Sequence, residues 1–248
     1  MIQRKQSAKT KEREGEESQS QTETAVQTPA VSEAKPSTKA VASGIDIKST
    51  DRVTLSGLPD SGKTILAKYL AALAEPRLLI YDPLAQYDGF PDSMRYVPKN
   101  DSLEEFEEVC RKLCSTPNMF FVIEEAERYI GQGKPLGPYA FDLINRGRNW
   151  GVGILAVTRR IQRLSKDYFD LCRHVFFFRQ GLRSYDYVKE MVGPDAVARI
   201  HQLQPYHFLH YDLVQEQFTV ATLTLPHQQY TTDAKIKTVS KGKSLRET

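Results

Sequence analysis

A chain of 248 residues with 40% hydrophobic and 26% charged residues can bury one sizeable core, and a second full domain is not expected. Its formal net charge of +3 is too small to indicate a nucleic-acid partner by itself, and its three cysteines make no disulfide framework. Apolar runs such as residues 119–123 and 175–178 are strand-length and far short of the roughly 20 residues of a membrane helix, and no apolar secretory-signal segment is visible at the start of the sequence.

Residues 1–44 consist largely of Gln, Ser, Thr, Glu, Lys and Ala, with no aromatic residue before Tyr69. Such a segment has too little apolar area to offset its ordering entropy and reads as a disordered tail. The ordered domain is expected over residues 45–226. Within it, Arg52–Ser56 is β-branched and apolar enough for a buried strand, and residues 65–74 carry apolar side chains at helical spacing.

Between these two elements lie Gly57, Leu58, Pro59, Asp60, Ser61, Gly62, Lys63 and Thr64. They fit the phosphate-loop pattern G-x-x-x-x-G-K-[ST] at every fixed position and in the strand, loop, helix context it requires. The glycines let successive N–H groups turn inward toward a polyphosphate, and the helix N-terminus adds partial positive charge. ATP and Mg²⁺ are the expected ligands, with Lys63 reaching the β- and γ-phosphates and the Thr64 hydroxyl completing the metal shell.

Residues 77–81 read as the next strand, closed by Asp82 and Pro83. A short extended piece near residues 95–97 precedes a capping box, Ser102 to Glu105, that opens a helix running to about Cys114. On that helix Cys110 and Cys114 stand one turn apart with no second ligand pair nearby. Core packing in a reducing, cytoplasmic setting is therefore expected rather than zinc. Residues 118–124 form a further apolar strand that ends in two carboxylates, Glu124 and Glu125. Strand ends in open α/β sheets face the ligand crevice, so both acids are expected to meet the phosphate loop. Glu124 would orient or coordinate Mg²⁺ through water, and Glu125 would polarise the attacking water.

Residues 131–137 read as an exposed loop, 139–149 as a helix, 151–157 as a buried strand and 161–171 as a helix. Residues 174–179 follow as a strand, 184–191 as a helix, and 206–211 with 218–223 as a closing strand pair. This alternation of strands and helices predicts an α/β fold with a mostly parallel sheet flanked by helices. Residues 227–248 hold Lys235, Lys237, Lys241, Lys243 and Arg246 against Asp233 and Glu247, which reads as a flexible basic tail before a nucleic-acid contact. From Asp142 to Asp167 there is no acidic residue, while Arg146, Arg148, Arg159, Arg160, Arg163 and Lys166 fall inside. Such cations call for anions, a γ-phosphate and a DNA backbone being the candidates, with Lys134 in the exposed loop as a further phosphate contact.

The phosphate loop, the Ile123-Glu124-Glu125 strand end, and Arg148 and Gly151 followed by an apolar strand ending in Thr158 resemble the HerA/FtsK superfamily of ring-forming DNA-pumping ATPases. Within it, the short chain is similar to the genome-packaging ATPases of tailless icosahedral viruses with an internal membrane. The resemblance covers about residues 51–225 and implies a RecA/FtsK-like P-loop fold, a homo-oligomeric hexameric ring, non-specific double-stranded DNA as substrate, and a capsid vertex or membrane protein as docking partner. It also implies a host-cytoplasmic or virion location. In this family pattern Arg148 would enter the neighbouring subunit's site as an arginine finger and Thr158 would sense the γ-phosphate. Arg159 stands where the family carries Gln, and Arg146 competes with Arg148 for the finger. Two other readings remain open at the level of sequence: a P-loop nucleotide or small-molecule kinase, and an assembly or secretion ATPase that moves no DNA.

Overall fold

The computed structural model describes residues 40–42, 45–74, 77–224 and 235–243. Two short strands, β1 (Ala40–Ala42) and β2 (Ile45–Ile47), pair antiparallel. The main sheet contains β3 (Arg52–Ser56), β4 (Leu78–Tyr81), β5 (Arg95–Tyr96), β6 (Phe120–Ile123), β7 (Gly153–Thr158), β8 (His174–Phe177), β9 (His207–Asp212), β10 (Gln217–Thr224) and β11 (Lys235–Lys243). Its order is β11-β10-β9-β8-β3-β7-β6-β4-β5. From β8 to β5 every pairing is parallel, and β9, β10 and β11 extend the sheet antiparallel beyond β8.

Side chains alternate across this sheet because successive Cβ atoms leave a strand on opposite faces. Val53, Leu55, Val122, Leu155, Val157, Phe176 and Phe178 join the core on one face, beneath β2 and helix α1 (Lys63–Ala72). Phe121, Ile123, Ile154, Ala156, Val175 and Phe177 join the opposite core. That face is covered by α2 (Leu103–Cys114), α3 (Pro138–Arg146), α4 (Lys166–Asp170), α5 (Tyr185–Val192) and α6 (Pro194–His201). The expected α/β architecture is present, with both faces of the parallel strands covered as such strands require. The Ser102 hydroxyl accepts from the Glu105 amide, so the N-cap is in place, while the Glu105 carboxylate accepts from the Lys99, Asn100 and Asp101 amides ahead of the helix; Cys110 is buried in the core.

Four stretches differ from expectation. Residues 161–171 are two elements: a 3-10 turn at Ile161–Arg163, then extended chain through Leu164 before α4. Leu164 bridges Gly131, and the Ser165 amide donates to the Ile130 carbonyl, which takes this stretch out of any helix. The predicted helix over 139–149 ends at Arg146 and continues as a 3-10 turn, Gly147–Trp150, because the carbonyls of Leu143 and Ile144 face the buried guanidinium of Arg52. Residues 235–243, expected within a flexible tail, form β11 against β10, and Ala40–Ala42, placed in the N-terminal tail, pairs with β2. The remainder of both predicted tails lies outside the described residues.

Candidate active site

Four strands set the site. The order β3-β7-β6-β4 brings their C-terminal ends side by side, with Ser56 opposite Thr158 and Ile123 opposite Ala156. The residues that follow, Gly57 on β3, Arg159 on β7, Glu124 on β6 and Asp82 on β4, therefore stand along one edge of the sheet, where α/β folds place ligands. A cavity of about 260 Å³ opens there, lined on one side by Pro59, Asp60, Lys63 and Thr64 and on the other by Glu124, Glu125, Thr158 and Arg159. A second space of about 210 Å³ lies across Lys63, bounded by Gly62, Thr64, Ile65 and Tyr206.

The phosphate loop is tied down on both flanks. The Leu58 amide donates to the Arg179 carbonyl at 2.9 Å, and the Tyr206 amide donates to the Ser61 carbonyl at 3.0 Å. Beneath the loop, buried Gln180 accepts from the Ser56 hydroxyl and donates to the Ser56 and Phe178 carbonyls. A Cβ on Gly57 would stand 2.6 Å from the Phe178 Cβ, and Gly62 has φ 103, so both glycines are required by the local geometry. Lys63 opens α1 and is buried, with Nζ donating to the Leu58 carbonyl at 2.6 Å. Burial, aided by the positive charge of Arg159 and opposed by Glu124, lowers its pKa to about 8.

Facing the loop, Glu124 is 5% exposed, and burial raises its pKa above the usual carboxylate range. Its charged form is supported by the Tyr87 hydroxyl, which donates to Oε1 at 2.7 Å, and by Lys63. Tyr87 reaches this position because buried Asp82 accepts from the Gln86 and Tyr87 amides, both at 2.9 Å, curling the loop after β4 over the end of β6. Glu125 adopts φ 48, a left-handed conformation costing a non-glycine residue about 1 kcal/mol, which turns its carboxylate toward Arg159 and Arg128. The Thr158 hydroxyl is buried at the cavity wall and accepts from the Arg160 amide at 3.2 Å.

The structure thus brings together Gly57 to Thr64, Glu124, Glu125, Thr158 and Arg159. Arg148 stands apart, exposed on the turn after α3 and absent from the cavity lining. Arg146 pairs with Asp142 at 3.3 Å, while Arg148 has no ion pair among the described residues. Lys134 donates to the Arg128 carbonyl.

Two solved structures share this architecture over most of the chain. The genome-packaging NTPase B204 from Sulfolobus turreted icosahedral virus 2, in complex with ATP-gammaS, aligns with a TM-score of 0.61 at 18% identity, over 70% of this chain and 98% of that one. B204, the DNA-packaging ATPase from Sulfolobus Turreted Icosahedral Virus, aligns with a TM-score of 0.60 at 17% identity, over 69% of this chain and 96% of that one. The fold is that of a P-loop NTPase. No protein-family model and no curated protein sequence matches the chain. Within this P-loop NTPase fold, Tyr87, Asp82, Gln180, Tyr206 and Arg52 are contributions that the motifs did not reveal. Asp82 carried a faint signal as the polar residue closing a strand; the others carried none.

Proposed function

We propose that the chain hydrolyses ATP, breaking the bond between the γ-phosphorus and its bridging oxygen with one water to give ADP and inorganic phosphate, and uses this to move double-stranded DNA. The observation that carries the reading is the cavity in which the phosphate loop after β3 faces two carboxylates from the end of β6, across the end of β7. Lys63 would hold the terminal phosphates and Glu125 would take the proton of the attacking water. Thr64 and Glu124 suit Mg²⁺: a hydroxyl at the helix start, and a buried carboxylate whose burial is offset when a cation stands nearby. Among the described residues no group of three or more His, Cys, Asp or Glu could hold a metal by itself, so the phosphates would supply most of the coordination. Bound there, the ion would neutralise charge on the β- and γ-oxygens.

Arg148, exposed and unpaired, is the better candidate for a cation that completes a neighbour's site, since Arg146 already has an acid partner. That assignment makes the working unit a ring of identical subunits, with a hexamer as the expected size. Likeness to two viral packaging enzymes supports DNA as the substrate, and a capsid vertex is the dock that this reading expects. The deciding experiment measures ATP hydrolysis by the full chain with and without duplex DNA. Stimulation by DNA, lost in Lys63→Ala and Glu125→Gln, is the expected result; hydrolysis indifferent to duplex DNA across salt concentrations overturns the translocase reading.

A further inference from the structure

Of the cations between residues 146 and 166, Arg159 is the one that lines the cavity. Its guanidinium Nη2 lies 2.5 Å from Glu125 Oε1, and its backbone N–H donates to Glu127 Oε1 at 3.2 Å. The other oxygen of Glu125, Oε2, lies 3.3 Å from Arg128. With both oxygens engaged, Glu125 is poorly placed to accept a proton from water. The Arg159 side chain is nevertheless 54% exposed while that of Glu125 is 14% exposed, so the arginine end of the pair is solvated and free to swing away. A terminal phosphate bound beside Lys63 carries more negative charge and more acceptor oxygens for a planar guanidinium than one carboxylate already shared with Arg128. The charge of Arg159 is already felt at that position, since it helps lower the proton affinity of Lys63.

We infer that Arg159 is a cation supplied within the subunit to the terminal phosphate, exchanged between two anions: Glu125 when the cavity holds no triphosphate, and the γ-phosphate when it does. This rests on the ATP-hydrolysis reading. The exchange breaks one ion pair and makes another, with no covalent change. It uncovers Glu125 Oε1 only when there is a γ-phosphate to hydrolyse, and it gives the site a preference for triphosphate over diphosphate. Arg148 would act from across the boundary and Arg159 from within, so the two cations are separable.

The test is equilibrium titration of the full chain with AMPPCP and with ADP, each with Mg²⁺. Loss of a charge-assisted contact of this kind corresponds to about 10- to 100-fold in affinity. Arg159→Ala is expected to weaken AMPPCP by that factor while ADP affinity stays within about threefold, and Arg159→Lys to recover most of the loss. Glu125→Gln is expected to tighten AMPPCP severalfold, because Arg159 no longer has to leave a carboxylate, a gain that a merely structural role would not produce. Equal weakening of both nucleotides in Arg159→Ala, no weakening of either, or unchanged AMPPCP affinity in Glu125→Gln overturns the exchange. A wild-type chain that binds neither nucleotide overturns the ATP-site reading itself, a result distinct from all of these.

Discussion

Arg52 offers the most direct test of how the fold presents Arg148. It begins β3, the strand leading into the phosphate loop, yet its guanidinium serves the far end of α3. Nη2 donates to the Ile144 carbonyl at 2.8 Å and the Leu143 carbonyl at 3.2 Å, Nε to Ile144 at 3.3 Å, and Nη1 to Thr50 at 3.2 Å. The 3.5 Å approach to the Val152 carbonyl is too long to weigh. Arg52→Met keeps most of the stem and removes these donors, taking the guanidinium from the Ile144 carbonyl and leaving the Leu143 carbonyl with the Gly147 amide alone. Hydrogen bonds from a charged donor are each worth about 1.5–3 kcal/mol, but burial of the guanidinium, which lowers its pKa, is relieved at the same time. The net loss is about 3 kcal/mol, or about 6–12 °C in Tm for a domain of this size. Thermal and urea denaturation of the full-chain variant read this directly, and Arg52→Lys should fall between. Because the turn carrying Arg148 starts one residue beyond α3, ATP hydrolysis should fall more than nucleotide binding. A Tm within 2 °C of the parent, or equal losses of binding and turnover, would show that Arg52 does not hold this turn.

Three further outcomes are expected. Tyr87→Phe removes the donor to Glu124 and should cut turnover by about tenfold, the scale of lost support to a metal-site carboxylate; with its charged form less supported, the acid limb of the pH–rate profile should move to higher pH, and an unmoved limb refutes the link. Bound polyphosphate favours the charged form of Lys63, whose pKa in the empty site is about 8; affinity should therefore be complete below that pH and weaken as pH rises through it, with protons taken up on binding. Calorimetry in buffers of different ionisation enthalpy checks this, and constant affinity up to about pH 9.5 contradicts it. Mixing Arg148→Ala chains with Lys63→Ala chains should restore hydrolysis above either alone, since some interfaces then join a sound loop to a sound arginine, a contribution of about 10³- to 10⁵-fold in related enzymes. Co-assembly without recovery would move the assignment to Arg146.

The parts of the site that lie close together in sequence were legible before the structure. Residues 57–64 declare their fold because the loop is closed by its own glycines, and Glu124 and Glu125 inherit their place from the apolar strand before them. Contacts made across strands were not legible. Tyr87 meets Glu124 across 37 positions, Arg52 meets Ile144 across 92 and Gln180 meets Ser56 across 124, and each depends on a strand order that no local pattern encodes. Periodicity also misled in one place. Ile161, Leu164 and Tyr168 have helical spacing and are all buried, but they reach the core from a 3-10 turn, an extended bridge and a separate short helix. In residues 235–243 the charge of four lysines masks the strand, although lysine is a residue that natural sheets place on an outermost strand, and the pairing with β10 shifts register between Val220 and Ala221.

The two hydrogen bonds that flank the phosphate loop come from the two ends of one excursion: Arg179 stands where the chain leaves β8 for α5 and α6, and Tyr206 where it returns to β9. Mechanically, the loop and this helical pair form a closed circuit with two couplings, at Leu58 and at Ser61. A load that displaces α5 and α6 would have a backbone route to the phosphate loop at these two couplings, in addition to the core that both helices share with the sheet, and a change in the loop would travel back along the same route. Two backbone amides, those of Leu58 and Tyr206, should therefore report on the pocket together in hydrogen exchange, slowing as one when nucleotide fills it.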